Sequence, residues 1–454
     1  MLPSNAALRS SLRTLLSSSL QCIAGELGSA TWSELAARHS LCKLRRESIV
    51  LRTSDQLAAA AAMIELDGIA RRIVLCPADL ADEHLSHVVR AAQGSVVLSE
   101  EHGAAPGNLR IEQTDVAATG AIEQESLTEW VLLTSGTTGQ PKLVAHTLES
   151  LAGAIPVGHA SPSTAVWSTF YDIRRYGGLQ IFLRAALTGS SLVLSGKQES
   201  TSAFLARVGA LGVTHISGTP SHWRSALMSP AAAEIAPVYV RLSGEIADQA
   251  LLDQLRARYP KARIVHAFAS TEAGLAFEIE DGRMGIPGEA IGLGLDRAVE
   301  TKIEDGTLRV RSNYSASRYL GNDPAPLKDE DGFINTGDVL ERDGERYYFR
   351  GRRDGTINVG GNKVHPEEVE AVLNSHPEVS GSRVGTKKSS ITGALVIADV
   401  VPKHSTAERS EQALRQELLR YCRQALPAWK VPVAITFVPE LAVSEAGKLI
   451  RAHA

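Results

Sequence analysis

Apolar residues in the first third of the chain come in short runs separated by alanine-rich or amphipathic stretches. That pattern predicts strands alternating with helices. Ser-Ile-Val-Leu-Arg over 48–52 reads as a buried strand. An alanine-rich helix is predicted over 55–64, with Gly68 as its stop. The run 72–76 is a second apolar strand, and a further helix leads to a strand at 95–98. Residues 100–127 are polar and irregular and read as a surface connection. Strands follow at 130–133, 191–194, 213–217, 238–242 and 263–268. The segment 306–350 reads as short antiparallel strands with turns such as Asp343-Gly344. A second unit begins near Arg353, with a helix over 366–373, a helix over 412–425 and a strand over 434–438. Pro366 suits a first helical position, and Glu367 and Glu368 suit the positive end of the helix dipole. There is no internal repeat. The predicted class is α/β: a large multi-layer N-terminal domain over 1–352 with mostly parallel sheets, and a small α+β C-terminal domain over 353–454.

Composition narrows the partners. The length of 454 residues suits two or three domains, and a net charge of −4 supplies no field for nucleic acid or an anionic membrane. The cluster Lys43-Leu44-Arg45-Arg46 reads as a solvated turn. Cys22, Cys42, Cys76 and Cys422 are too scattered for a metal site or redox pair, which fits a reducing, cytoplasmic setting. No apolar run approaches the length of a membrane span. The first 25 residues carry Arg and Ser and no acid, as transit peptides do. Leu8, Leu12, Leu15, Leu16 and Leu20, however, fall at helical spacing, and an ordinary first helix is the favoured reading.

The strand at 130–133 runs into Thr-Ser-Gly-Thr-Thr-Gly-Gln-Pro-Lys over 134–142. Thr134, Ser135, Gly136, Thr137, Thr138 and Gly139 form an unbroken hydroxyl and glycine stretch. Glycines let backbone N–H groups turn toward an anion, hydroxyls add donors without bulk, and Lys142 adds charge. The spacing of a Walker A loop is absent. Taken alone, such a stretch is equally a flexible turn.

Four more segments follow in order: His-Ala-Phe-Ala-Ser-Thr-Glu at 266–272, Asn-Thr-Gly-Asp at 335–338, Gly-Arg-Arg-Asp-Gly at 351–355 continuing into Gly-Gly-Asn-Lys-Val-His-Pro-Glu-Glu-Val-Glu at 360–370, and Glu-Ala-Gly-Lys-Leu-Ile-Arg at 445–451. With the glycine-rich loop, this ordered set resembles the adenylate-forming superfamily of acyl-CoA synthetases, peptide-synthetase adenylation domains and luciferases. The resemblance runs from about Trp130 onward.

It implies an ATP-dependent ligase that releases pyrophosphate, makes an acyl-adenylate and passes the acyl group to a thiol. Joining a carboxylate to a phosphate brings anions together, so the chemistry needs positive charge and a metal. Residue by residue, the resemblance makes Glu272 the magnesium ligand and Thr271 a phosphate donor. It sets Phe268 against adenine, with Ala269 where relatives carry glycine. Asp338 would accept from the ribose hydroxyls with help from Arg352, and the loop, Gly244 and Glu245 would contact ATP. Lys448 would bridge the substrate carboxylate and the α-phosphate. After adenylation the small domain would rotate about Asp354, with Gly355 where relatives often have a second acid, and Gly360 and Gly361 would line the pantetheine tunnel.

The acceptor implied is CoA, on the form of the 360–370 segment; the alternatives are a carrier protein or an amine, and, further off, a nucleotide-binding module without turnover. The small carboxylic acid would sit near residues 167–178, a stretch that departs from the Pro-x-Phe-His of many CoA ligases. Tyr171, Asp172 and Gly177 are the pocket candidates. Asp172 could bind a substrate ammonium or pair locally with Arg174 or Arg175. His146 and His266 read as structural. The region before the phosphate loop is short for the family, leaving an open acyl pocket or a homodimer contact.

Overall fold

The computed structural model describes residues 8, 11–12, 21–100, 109–115, 127–134, 140–155, 165–292, 298–321, 326–389, 393–403, 410–444 and 447–450. Ser135, Gly136, Thr137, Thr138 and Gly139, which are most of the predicted phosphate loop, lie outside them. So do Glu445, Ala446 and the predicted helix positions Leu15, Leu16 and Leu20; Leu8 and Leu12 are described and fully buried.

Period-two alternation builds two stacked sheets. In the first, Ser48–Arg52, Arg72–Cys76, Val96–Glu100 and Glu129–Thr134 run parallel. Antiparallel strands border them: Leu109–Gln113 on one side, Lys142–His146 and Arg318–Leu320 on the other. Ile49, Leu51, Ile73, Leu75, Trp130 and Leu132 face an inner core, whereas Val50, Val74, Cys76, Val131 and Leu133 face an outer one. The strand Leu109–Gln113 corrects the expectation of irregular chain at 100–127. Its alternating Leu-Arg-Ile-Glu-Gln is what a half-exposed edge strand carries.

The second sheet has eight strands in the order Gly274–Ile279, Arg263–Ser270, Tyr239–Ser243, His215–Gly218, Val166–Thr169, Ser191–Leu194, Cys22–Ala24, Ser29–Thr31. All neighbours are parallel except the outermost pair at each edge. The helices Gln56–Leu66 and Tyr176–Thr188 lie between the two sheets. Gln56–Leu66 is buried on nearly every side, so it has no polar stripe, and Asp55 caps it by accepting from Leu57 N at 2.9 Å. Asp67 just beyond it accepts from Trp130 Nε1 at 2.9 Å and fixes the strand that enters the predicted phosphate loop. Burial raises the Asp67 pKa to about 6.

A third sheet, wholly antiparallel, ends with Ile334–Asp343 and Arg346–Arg352. A short turn at Arg353–Gly355 follows, and a separate sheet then begins at Ile357–Val359. That sheet, with the helices Pro366–Asn374 and Glu411–Ala425, closes around its own core of Val364, Val369, Leu373, Val400 and Leu418.

Candidate active site

Parallel strands of the two large sheets deliver their carboxyl ends to one cleft, where open α/β sheets usually bind ligands. At one corner Thr134 Oγ1 donates to Glu272 Oε1 at 3.4 Å and Tyr319 OH donates to the same oxygen at 3.5 Å. Lys142 Nζ lies 5.4 Å above the Tyr319 ring. His146 fixes this corner from below: its Nε2 donates to Thr271 O at 2.7 Å. Burial lowers the His146 pKa to about 4, so the ring is neutral at physiological pH. Its role is structural. His266 is likewise tied to backbone, at Arg283 O, 3.1 Å away.

Phe268 stacks on Phe349 with centroids 5.1 Å apart and meets Phe277 at 6.3 Å. The ladder to Gly274–Ile279 slips between Phe268 and Ala269. Such a bulge re-aims the strand just before Thr271 and Glu272.

Asp338 and Arg352 face each other across neighbouring strands. Burial raises the Asp338 pKa, and Arg352 opposes that rise. Arg352 also donates to Thr336 O at 3.2 Å, and its Nε donates to Asp354 Oδ1 at 3.0 Å. The residue expected to help hold ribose is thus paired with the residue expected to act as the hinge.

Lys448 reaches this cleft from the end of the chain. A Cβ placed on Gly244 would lie 3.6 Å from Lys448 Cε, 3.8 Å from Thr219 Cγ2 and 3.9 Å from Tyr171 OH. The lysine remains open to solvent along the cleft. Desolvation by the surrounding walls nevertheless lowers its pKa, against the pull of Glu245.

Sequence reasoning missed the cradle that holds this loop. Thr219 caps the helix Pro220–Met228, accepting from His222 N at 3.0 Å while its hydroxyl donates to Gly447 O at 2.6 Å. Glu245 accepts from Ser221 N at 2.9 Å and from Leu449 N at 3.0 Å, so it too holds the loop. Gly447 lies against the His222 ring, where a Cβ would come within 1.8 Å. Its φ of +68° also favours glycine. The helix-start signal Thr-Pro at 219–220 was the available clue.

Where the acyl pocket is expected, Tyr171 OH donates to Ser243 O at 2.7 Å, and its ring lies against Gly177. Asp172 pairs with Arg174, whose NH2 is 2.6 Å from Oδ2 and whose Nε donates to Oδ1 at 2.7 Å. Of the two sequence alternatives, the geometry shows the local pair. Gly360 and Gly361 have φ of +58° and +89° and form an exposed hairpin tip between Ile357–Val359 and Asn362–Val364. A Cβ on Gly361 would meet nothing within 4 Å. In this arrangement the pair serves the turn.

A family model described as AMP-binding enzyme matches residues 51–313, and one described as AMP-binding enzyme C-terminal domain matches residues 368–448. The chain belongs to the AMP-binding enzyme family. Among the curated proteins similar to this AMP-binding enzyme is the 2-succinylbenzoate–CoA ligase of Bacillus licheniformis, 28% identical over 421 residues, covering 84% of this chain and 83% of the relative. An anthranilate CoA ligase solved with anthranoyl-AMP shares the fold at a TM-score of 0.79 and 17% identity, with 99% of this chain and 96% of the other covered. An amide bond synthetase from Marinactinospora thermotolerans does so at a TM-score of 0.73 and 19% identity, with 97% and 98% covered. Among the described residues, no helix of this AMP-binding enzyme is long and apolar enough to cross a membrane.

Proposed function

We propose that the chain activates a small carboxylic acid with ATP to an acyl-adenylate, releasing pyrophosphate, and transfers the acyl group to the thiol of CoA. One observation carries the reading: the cradle of Thr219, His222 and Glu245 seats Lys448 beside Gly244, in the cleft that also holds Asp338, Arg352 and Glu272. A carboxylate attacking a phosphate needs a cation between the two, and a seated ammonium supplies one already oriented. Asp338 suits a pair of ribose hydroxyls, and the hydroxyl and glycine loop suits phosphates. No general base is required, because the acid is ionised at neutral pH.

Glu272 fits a magnesium ion. Among the described residues it accepts two long hydrogen bonds, from Thr134 and Tyr319. Among the described residues no cluster of three His, Cys, Asp or Glu side chains forms a protein cage. Magnesium is usually held by one or two carboxylates together with substrate phosphates. When bound it would neutralise phosphate charge.

The second half-reaction needs another lid position, reached by rotation at Asp354. That rotation would release Arg352 from its partner and bring the Gly360–Gly361 turn to the cleft. The four cysteines are free, which fits a reducing compartment such as the cytoplasm. The test supplies the enzyme with ATP, magnesium and mixed carboxylic acids, with and without CoA. Acid-dependent AMP and pyrophosphate, with thioester only when CoA is present, is expected. ADP as product, or AMP release indifferent to the acid, would refute the reading. A thioester on a carrier protein or an amide formed in place of acyl-CoA would reassign the acceptor alone.

A further inference from the structure

The helix wall that carries Gly177 leads to a cation that forms no ion pair among the described residues. Gly177 and Arg184 stand about two turns apart on Tyr176–Thr188 and so share one face, about 10 Å apart along the axis. Opposite them, Ser243, Arg241 and Tyr239 alternate along one face of their strand over about 13 Å. Tyr171 joins the two walls at the Lys448 end, through Gly177 and Ser243.

At the far end the Arg184 guanidinium stacks over Trp167 at 5.6 Å. It makes no hydrogen bond and no ion pair among the described residues. Arg241, close enough to act on it electrostatically, is already paired with Glu278. Two guanidiniums therefore share one carboxylate. Trp167 is 6% exposed, and its buried indole Nε1 has no partner among the described residues. His215 at 4.5 Å and Tyr239 at 5.7 Å pack against the same indole. A partly buried surplus cation beside an orphaned buried N–H is an arrangement that a bound anion completes.

We propose that the acid activated by this chain is a dicarboxylate, and that Arg184 and Trp167 Nε1 bind its second carboxylate at the end of the acyl pocket remote from Lys448. The inference rests on the adenylation reading and names the class of acid. The indole N–H and the guanidinium over its ring are both donors without a partner among the described residues, and charge-assisted bonds of this kind are the strong ones. A monocarboxylic acid of the same length would leave both groups unsatisfied.

Two matched pairs of acids test this: 2-succinylbenzoate against 4-oxo-4-phenylbutanoate, and suberate against octanoate. Each pair differs by the distal carboxylate. Binding is read by calorimetry and activation by ATP–pyrophosphate exchange. The wild type should prefer at least one dicarboxylate over its partner by about 10- to 100-fold, the range of a hydrogen bond to a charged group. Arg184→Met should abolish the preference, and Arg184→Lys, which keeps charge and stem, should restore part of it. Trp167→Phe keeps the ring and should lower the preference about threefold to tenfold. Equal binding within both pairs, binding of no acid, or a preference unchanged in both the Lys and Phe variants overturns the subsite. Exchange supported by monocarboxylic acids alone would sink the subsite and leave the ligase reading standing; no exchange with any acid would sink the ligase reading, while the calorimetry still decides the subsite.

Discussion

The small domain presents two glycine-containing loops, and they meet opposite surroundings. The terminal loop carrying Gly447 is pressed into the large domain, where a methyl group would strike the His222 ring. The hairpin tip at Gly360 and Gly361 stands in open space. All three residues have positive φ. The difference lies in what the glycine permits. At Gly447 it permits close approach between domains, whereas at Gly361 it permits only a tight turn of the backbone. The arrangement thus uses one loop and leaves the other in open space, as the proposed pair of successive tasks would require of one lid position.

The largest test of that contrast is Lys448→Ala. Acyl-AMP formation should fall by about 10²–10³, the cost of one preorganised donor at a developing charge. Thioester formation from supplied acyl-AMP should change little. Pyrophosphate exchange and single-turnover transfer read the two steps separately, and equal losses in both would break the contrast.

The cleft also needs a firm floor, and His146 supplies part of it under Thr271. Its folded pKa of about 4 lies below the value near 6.5 of an exposed histidine. The unfolded chain therefore takes up the proton first. Stability contributed by the neutral ring is complete above about pH 6.5 and is lost as pH falls toward 4, by about 3 kcal/mol. Denaturant unfolding of wild type and His146→Asn at pH 7 and pH 4 should show the smaller pH dependence in the variant. Parallel losses in both proteins would remove His146 from the floor.

Much of this was legible in the sequence, and what was hidden was hidden for a physical reason. Apolar runs placed the strands because each sheet faces two cores, so their side chains alternate without polar interruption. The motifs marked Glu272, Asp338 and Lys448 because their chemistry restricts residue type. The cradle was not legible, since Thr219 meets Gly447 across 228 residues of chain and each looks ordinary in its own neighbourhood. The strand Leu109–Gln113 was missed because an edge strand may carry charge on its open face. Arg184 escaped notice for a similar reason: within its helix it is one polar residue, and only the facing strand shows that the nearby acid, Glu278, is already paired with Arg241.

Gly447→Ala sharpens the contrast directly. The added methyl meets His222, and the left-handed backbone adds about 1 kcal/mol of strain. Acyl-AMP formation should fall by about 10- to 100-fold, since a misplacement of about 1 Å costs on that order. Pairing it with His222→Ala should recover part of the loss by clearing space for the methyl. No recovery would mean that backbone strain, and not the ring, sets the requirement.

The smallest effect on adenylation is expected at Gly361→Leu. The side chain would project into open space, so acyl-AMP formation should stay within about threefold of wild type, the side-chain-independent strain at φ +89° being confined to a hairpin tip. Thioester formation from supplied acyl-AMP should fall much further, because the same tip would then have to approach the cleft. The two assays that divide Lys448→Ala therefore divide this variant in the opposite sense. If Gly361→Leu slowed both steps alike, the tip would matter only for the stability of the small domain. If it slowed neither, the thiol would have to enter by another face, and the two loops would no longer stand for two tasks.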